Sequence, residues 1–224
     1  MAYTTIKKPS DYFNTNLYVG NGSDGHAITG VGFQSDFTWL KNRDDANGHQ
    51  LFDAVRGATK TLFSNETSAE ATYANTLQSF DSDGFTVGTS GGANTNANNF
   101  ASWNWKANGA GSANTDGSIS STVSANTTSG FSIVKYTGTG AIATVGHGLG
   151  VTPKMIIAKG LGVVNNWLVY TSTTGNNKAL ALQDSGTGFT GSHLWNDTNP
   201  TSSVFSLGAV GATNSSGDEN IAYC

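Results

Sequence analysis

The sequence predicts an all-β fold built as two tandem antiparallel β-sandwich domains, and three observations carry that prediction. First, the chain repeats itself in one register: Tyr18, Gly20, Gly22, Gly30, Gly32 and Lys41 recur 118 residues later as Tyr136, Gly138, Gly140, Gly148, Gly150 and Lys159. Asn47, Gly57, Lys60 and Leu62 meet Asn165, Gly175, Lys178 and Leu180 at the same offset. Farther on, residues 84–88 meet residues 204–208 at an offset of 120, and Phe100 and Ala101 meet Ile221 and Ala222 at 121. Such small slips are what loop-length changes between fixed strands produce. Second, each copy divides into about eight short segments bounded by Gly, Asn and Asp turns, enough for a two-sheet sandwich. Third, the best helical stretch, residues 65–72, is too short and polar for more than a turn or two. A repeat of about 100 residues is a small domain rather than a solenoid unit.

In order, residues 1–16 read as an arm, because Pro9 and the run Asn14, Thr15, Asn16 interrupt any regular pattern. The first module, residues 17–106, opens with Leu17, Tyr18 and Val19, and the Asn21, Gly22, Ser23, Asp24, Gly25 run turns the chain back toward His26, Ala27 and Ile28. Residues 36–41 are rich in aromatic and apolar side chains, and their counterparts 154–159 carry apolar residues on consecutive positions, the pattern of a strand covered on both faces. Residues 49–55 and 59–64 supply two more strands, residues 77–80 and 85–88 flank a turn at 81–84, and residues 100–105 alternate apolar with polar. Residues 107–117 contain no large apolar side chain and are expected to be a flexible linker. The second module, residues 118–224, repeats the scheme and stops early, so the sequence reads as the front part of a longer protein.

Charged residues make up 12% of the chain, about half the usual share, and the net charge is −4. Without a basic cluster beyond Lys7 and Lys8, nucleic-acid binding and attraction to an anionic membrane are both disfavoured. No apolar run reaches the roughly 18 residues of a membrane span, and the N-terminus lacks an apolar signal core. A single cysteine, Cys224, excludes an internal disulfide and a cysteine-based zinc site.

The signals for chemistry are weak. Asp81, Ser82, Asp83 and Gly84 open like a calcium loop, but the distal glutamate is missing and the second copy has no carboxylate there, so a polar hairpin turn accounts for them. His49, Asp53, Asp44 and Asp45 form the one cluster that suggests hydrolysis, yet His49 aligns with Trp167 and Asp53 with Thr171. His147 lies between glycines and aligns with Thr29, which suits a loop histidine. No Gly-Lys-Ser/Thr follows the glycines, so none forms a phosphate loop. Neither a metal nor a cofactor is expected. Of the five tryptophans, Trp39 and Trp167 sit on strands where burial is expected. Trp195, in a polar stretch with Asn196, is the sequence's choice for stacking on a sugar ring, and the polar loop holding Asn42, Asp44 and Asn47 is the second proposed contact.

At its Tyr-x-Gly-x-Gly and Gly-x-Gly-Phe/Val motifs the sequence resembles a family of repeated modules in structural proteins of marine tailed bacteriophages, notably those of cyanobacteria. Residues 17–22, 28–34, 51–57 and 80–85 carry the resemblance in the first copy, and residues 146–157 and 195–197 in the second. The resemblance implies concanavalin-A-like, jelly-roll sandwiches strung along fibre or appendage proteins, with Tyr-Cys-Trp commonly ending a module. Here Tyr223 and Cys224 stop one residue short of that tryptophan. It brings no catalytic motif. The expected role is therefore non-enzymatic: a virion protein made in the host cytoplasm, part of a tail fibre or appendage, contacting other virion proteins and host-surface carbohydrate, and by analogy a homo-oligomer, a trimer. A capsid-decorating cement protein and, less favoured, a polysaccharide depolymerase are the alternatives.

Overall fold

A computed structural model describes residues 6–224 and shows an all-β chain with antiparallel sheets. Two compact units form, one from the chain up to Phe63 together with Ala71–Ala110, the other from Ser64–Glu70 together with Gly111–Cys224. No helix among the described residues is long and apolar enough to cross a membrane.

In unit 1 the strands are β1 (Phe13–Val19), β2 (His26–Ile28), β3 (Phe37–Asn42), β4 (Gln50–Asp53), β5 (Lys60–Phe63), β6 (Ala71–Thr72), β7 (Leu77–Asp81), β8 (Gly84–Val87) and β9 (Asn99–Trp105), with a one-turn helix α1 at Gly91–Asn94. They form a six-stranded sheet in the order β1-β9-β3-β4-β5-β6 and a three-stranded sheet in the order β2-β8-β7. Leu40, Phe52 and Phe100 from the large sheet meet Ile28, Leu77, Phe85 and Val87 from the small one in a single buried cluster.

Unit 2 comprises β10 (Ser112–Asn114), β11 (Ser121–Asn126), β12 (Phe131–Thr137), β13 (Ala143–Gly146), β14 (Met155–Gly160), β15 (Leu168–Thr171), β16 (Lys178–Ala181), β17 (Phe189–Thr190), α2 (Ser192–Trp195), β18 (Val204–Leu207), α3 (Gly211–Asn214) and β19 (Glu219–Tyr223). Its large sheet runs β10-β11-β12-β19-β14-β15-β16-β17, so the order from β12 to β17 reproduces that from β1 to β6. β13 pairs with β18 as β2 pairs with β8.

The recurring residues have physical reasons. Tyr18 donates its hydroxyl to Ala93 O and Tyr136 donates to Thr213 O, both at 2.7 Å, tying β1 to α1 and β12 to α3. A Cβ on Gly20 would lie 2.2 Å from Thr95 O, and one on Gly138 would lie 2.3 Å from Ser215 O, so only glycine permits the approach.

Several expectations are corrected. The first strand begins at Phe13, inside the predicted arm, because Asn14 and Asn16 donate their side-chain amides to Val31 O and Thr29 O instead of disrupting the strand. The predicted linker is ordered at both ends: Ala107 N–H donates to Asp36 Oδ2 at 2.7 Å, and β10 pairs with β11. Residues 65–72, expected to make no more than a turn or two of helix, make a turn at residues 64 and 65 and no helix. Their backbone is used by unit 2, where Glu70 N–H donates to Leu161 O and Thr67 O accepts from Asn165 N–H. The last slip is also one residue smaller than the sequence suggested. Lys41 faces Ala101 and Lys159 faces Ile221, which keeps the offset at 120 and makes Tyr223 the equivalent of Trp103.

Candidate functional site

Alternation along the strands sends Leu40 and Phe52 into the core of unit 1 and leaves the odd-numbered neighbours on the opposite face. On that face Trp39 of β3 lies opposite Trp103 of β9, and Trp105 lies between Phe13 and Phe37 in the adjoining strands. The Trp105 ring is 4.7 Å from Phe13 and 5.1 Å from Phe37, tilted against each, which fixes its orientation. His49 enters just before β4, on the same side as Leu51, which is paired with Trp39.

Together Trp39, His49, Trp103 and Trp105 line an open cleft of about 320 Å³. All four are half-buried. The Trp39 Nε1–H is buried and has no acceptor among the described residues, a cost to the fold that packing alone does not repay. Partial burial, reinforced by the Lys41 ammonium, lowers the His49 pKa below the ordinary imidazole value and keeps the ring neutral at pH 7. Indole faces beside a neutral imidazole and an unused N–H suit a ring with apolar C–H faces and hydroxyls at its edge. Among the described residues the lining has no carboxylate to act as acid, base or nucleophile.

The residues singled out from sequence fall elsewhere. Trp195 is 2% exposed, packs edge-on against Tyr170 and donates Nε1–H to Lys178 O at 2.9 Å, so it is a core residue and not a stacking platform. At the 118-residue offset its counterpart is Leu77, itself fully buried, and that alignment was the signal. Asn196 ends α2 in the left-handed conformation, at φ 53°. Asn42 is fully buried: its Oδ1 accepts from the Asp44 and Asp45 amides and its Nδ2 donates to Gly91 O. Asp44 is exposed and accepts from the backbone and side-chain amides of Asn99, which hold its pKa below the ordinary carboxylate value. Asn42 and Asp44 thus shape the loop, and Asn47 is the one of that set that reaches a recess, described below. Asp83 accepts from the Gly30 and Gly32 amides, and among the described residues no three His, Cys, Asp or Glu side chains gather as a metal ion requires.

Sequence reasoning passed over the cleft. The alternation through Trp103 and Trp105 already placed both on one face, but burial was assumed for Trp39, and nothing local shows that a neighbouring strand brings them together. The sequence profile of a family described as a domain of unknown function, DUF7483, matches residues 8–224. No curated protein and no solved structure matches the chain.

Proposed function

The chain belongs to the DUF7483 family; from the resemblance of its repeats to modules of marine phage structural proteins we propose that it is a non-enzymatic structural module of a phage virion, a tail-fibre or appendage component that contacts host-surface glycans. The observation that carries the reading is the tryptophan cleft of unit 1, with its unpaired Trp39 donor and no charge among its lining residues except what His49 can take up. The repeated strand order supports reading each unit as a jelly-roll or concanavalin-A-like sandwich, joined to other virion proteins and to further copies of itself, by analogy in a trimer. A depolymerase needs paired carboxylates, which the cleft lining does not offer.

The test is binding of the purified chain to whole cyanobacterial cells and to an array of neutral oligosaccharides. Trp103→Ala removes half the facing tryptophan pair and is expected to weaken binding by about tenfold or more, at unchanged circular dichroism. Unaltered binding by Trp103→Ala and Trp105→Ala would remove the cleft from the reading. Loss of incorporation into particles, with no glycan bound by the unmodified chain, would favour a capsid-decorating role.

A further inference from the structure

Gln50 follows His49 in sequence and points to the other face of the sheet, toward the interior of unit 1. It is 5% exposed, and its Oε1 is buried with no hydrogen-bond partner. Around it lies an open recess of about 370 Å³ whose wall includes Phe63, Tyr73, Thr76, Ser90 and Gly92, with Asn47 at one edge. Among the described residues none that is charged lines it.

Unit 2 serves as an internal control, because it fills the same place with apolar core side chains. At offsets of 118 and 120, Gln50 corresponds to Leu168, Thr76 to Leu194, Ser90 to Val210 and Gly92 to Ala212. Leu168, Leu194 and Ala212 are core residues at 2%, 1% and 4% exposure, and Val210 packs against them. The apolar version therefore serves the fold. In unit 1 all four positions are polar or reduced to glycine, and the change is concerted: a Cβ on Gly92 would lie 2.2 Å from Gln50 Nε2, so glycine there makes room for the glutamine. Two further differences run the opposite way. Where unit 2 has Ala181 and Gly191, unit 1 has Phe63 and the exposed ring of Tyr73. An unpaired buried acceptor costs stability, so folding gives no reason for Gln50.

We propose that this recess binds one neutral sugar ring, which stacks on Tyr73 and donates a hydroxyl or acetamido hydrogen to Gln50 Oε1. The volume lies near the lower end of the range of about 300–1,000 Å³ for small-molecule sites, which fits a single ring better than an oligosaccharide. The absence of charge in the wall excludes a requirement for a sialic or uronic acid. Because the recess opens from the opposite face of β4, it stands on its own observations and not on the tryptophan cleft.

The full chain is titrated with a panel of methyl glycosides of glucose, galactose, mannose and their N-acetylamino forms, followed by amide chemical shifts. At least one glycoside should shift residues of the recess in a saturable way. Tyr73→Ala should weaken that binding by about tenfold. The double change Gln50→Leu with Gly92→Ala restores the composition of unit 2, and should abolish binding while raising the melting temperature. Trp103→Ala should leave these shifts intact, which separates this site from the cleft. The proposal is overturned if no glycoside in the panel shifts the recess, or if binding survives the double change. Should the double variant fail to fold, Tyr73→Ala, which alters an exposed ring, decides alone.

Discussion

Asn94 and Asn214 do the same work in the two units. Asn94 Nδ2 donates to Gly88 O and Ser23 O at 2.9 and 2.8 Å while its Oδ1 accepts from Asn21 N–H; Asn214 donates to Gly208 O and Ala141 O at 2.9 and 2.6 Å and accepts from Thr139 N–H. Alanine at either position orphans several buried backbone groups and should cost about 3 kcal/mol, read as a lowered unfolding midpoint in urea. Trp195→Ala should cost a similar or larger amount, roughly 3–5 kcal/mol, because it removes a buried indole. A third residue links stability to pH. Lys159 is fully buried, and burial lowers its pKa to about 8 although Thr67 O, Gly160 O and Val163 O all accept from its Nζ. Between about 8 and the ordinary lysine value the unfolded chain holds the proton more tightly than the folded one, so stability should rise with pH across that window. Lys159→Met should flatten the rise, measured by urea titrations at pH 7 to 10. The sequence revealed that Tyr18, Gly20 and Lys41 recur, since identity at a fixed offset needs no geometry. It did not reveal Asn94 and Asn214, which recur too, because their importance lies in carbonyls more than seventy residues away in the chain.

Strands were legible where periodicity or apolar runs marked them: β3, β7, β8 and β9 lie close to where the sequence placed them. The failures share one cause. Phe13, Asn14, Thr15 and Asn16 look irregular alone but are a strand because β9 supplies a partner for each. Likewise Ser112, Ala113 and Asn114 lack any apolar anchor and are ordered by pairing to β11. Ser64–Glu70 is the clearest case, since it follows β5 in sequence and is part of unit 2. That assignment yields a prediction: a fragment of residues 111–224 leaves Lys159, Leu161 and Asn165 without their partners Thr67 and Glu70. It should melt below the full chain's second unit, and adding residues 64–70 in trans as a peptide should recover part of the loss, as measured by calorimetry.

At the scale of the molecule, low charge was plain from composition, and its consequence is specific. With 15 acidic and 11 basic residues in 224, the glycan contact proposed above would rest on stacking and hydrogen bonds at short range. Glycan binding should therefore change by less than about twofold between low and high salt, in surface plasmon resonance at two ionic strengths. Less visible was where each sheet is closed. β9 lies between β1 and β3, and β19 lies between β12 and β14. In both units the strand that joins two others in the large sheet follows both of them in the chain. Until Asn99–Trp105 is made, β1 and β3 have no strand to join them, and β12 and β14 wait in the same way for Glu219–Tyr223. Protection of a nascent chain from protease should accordingly come in two late steps, and a ribosome that stalls before either strand presents open β-edges to its neighbours on the same messenger.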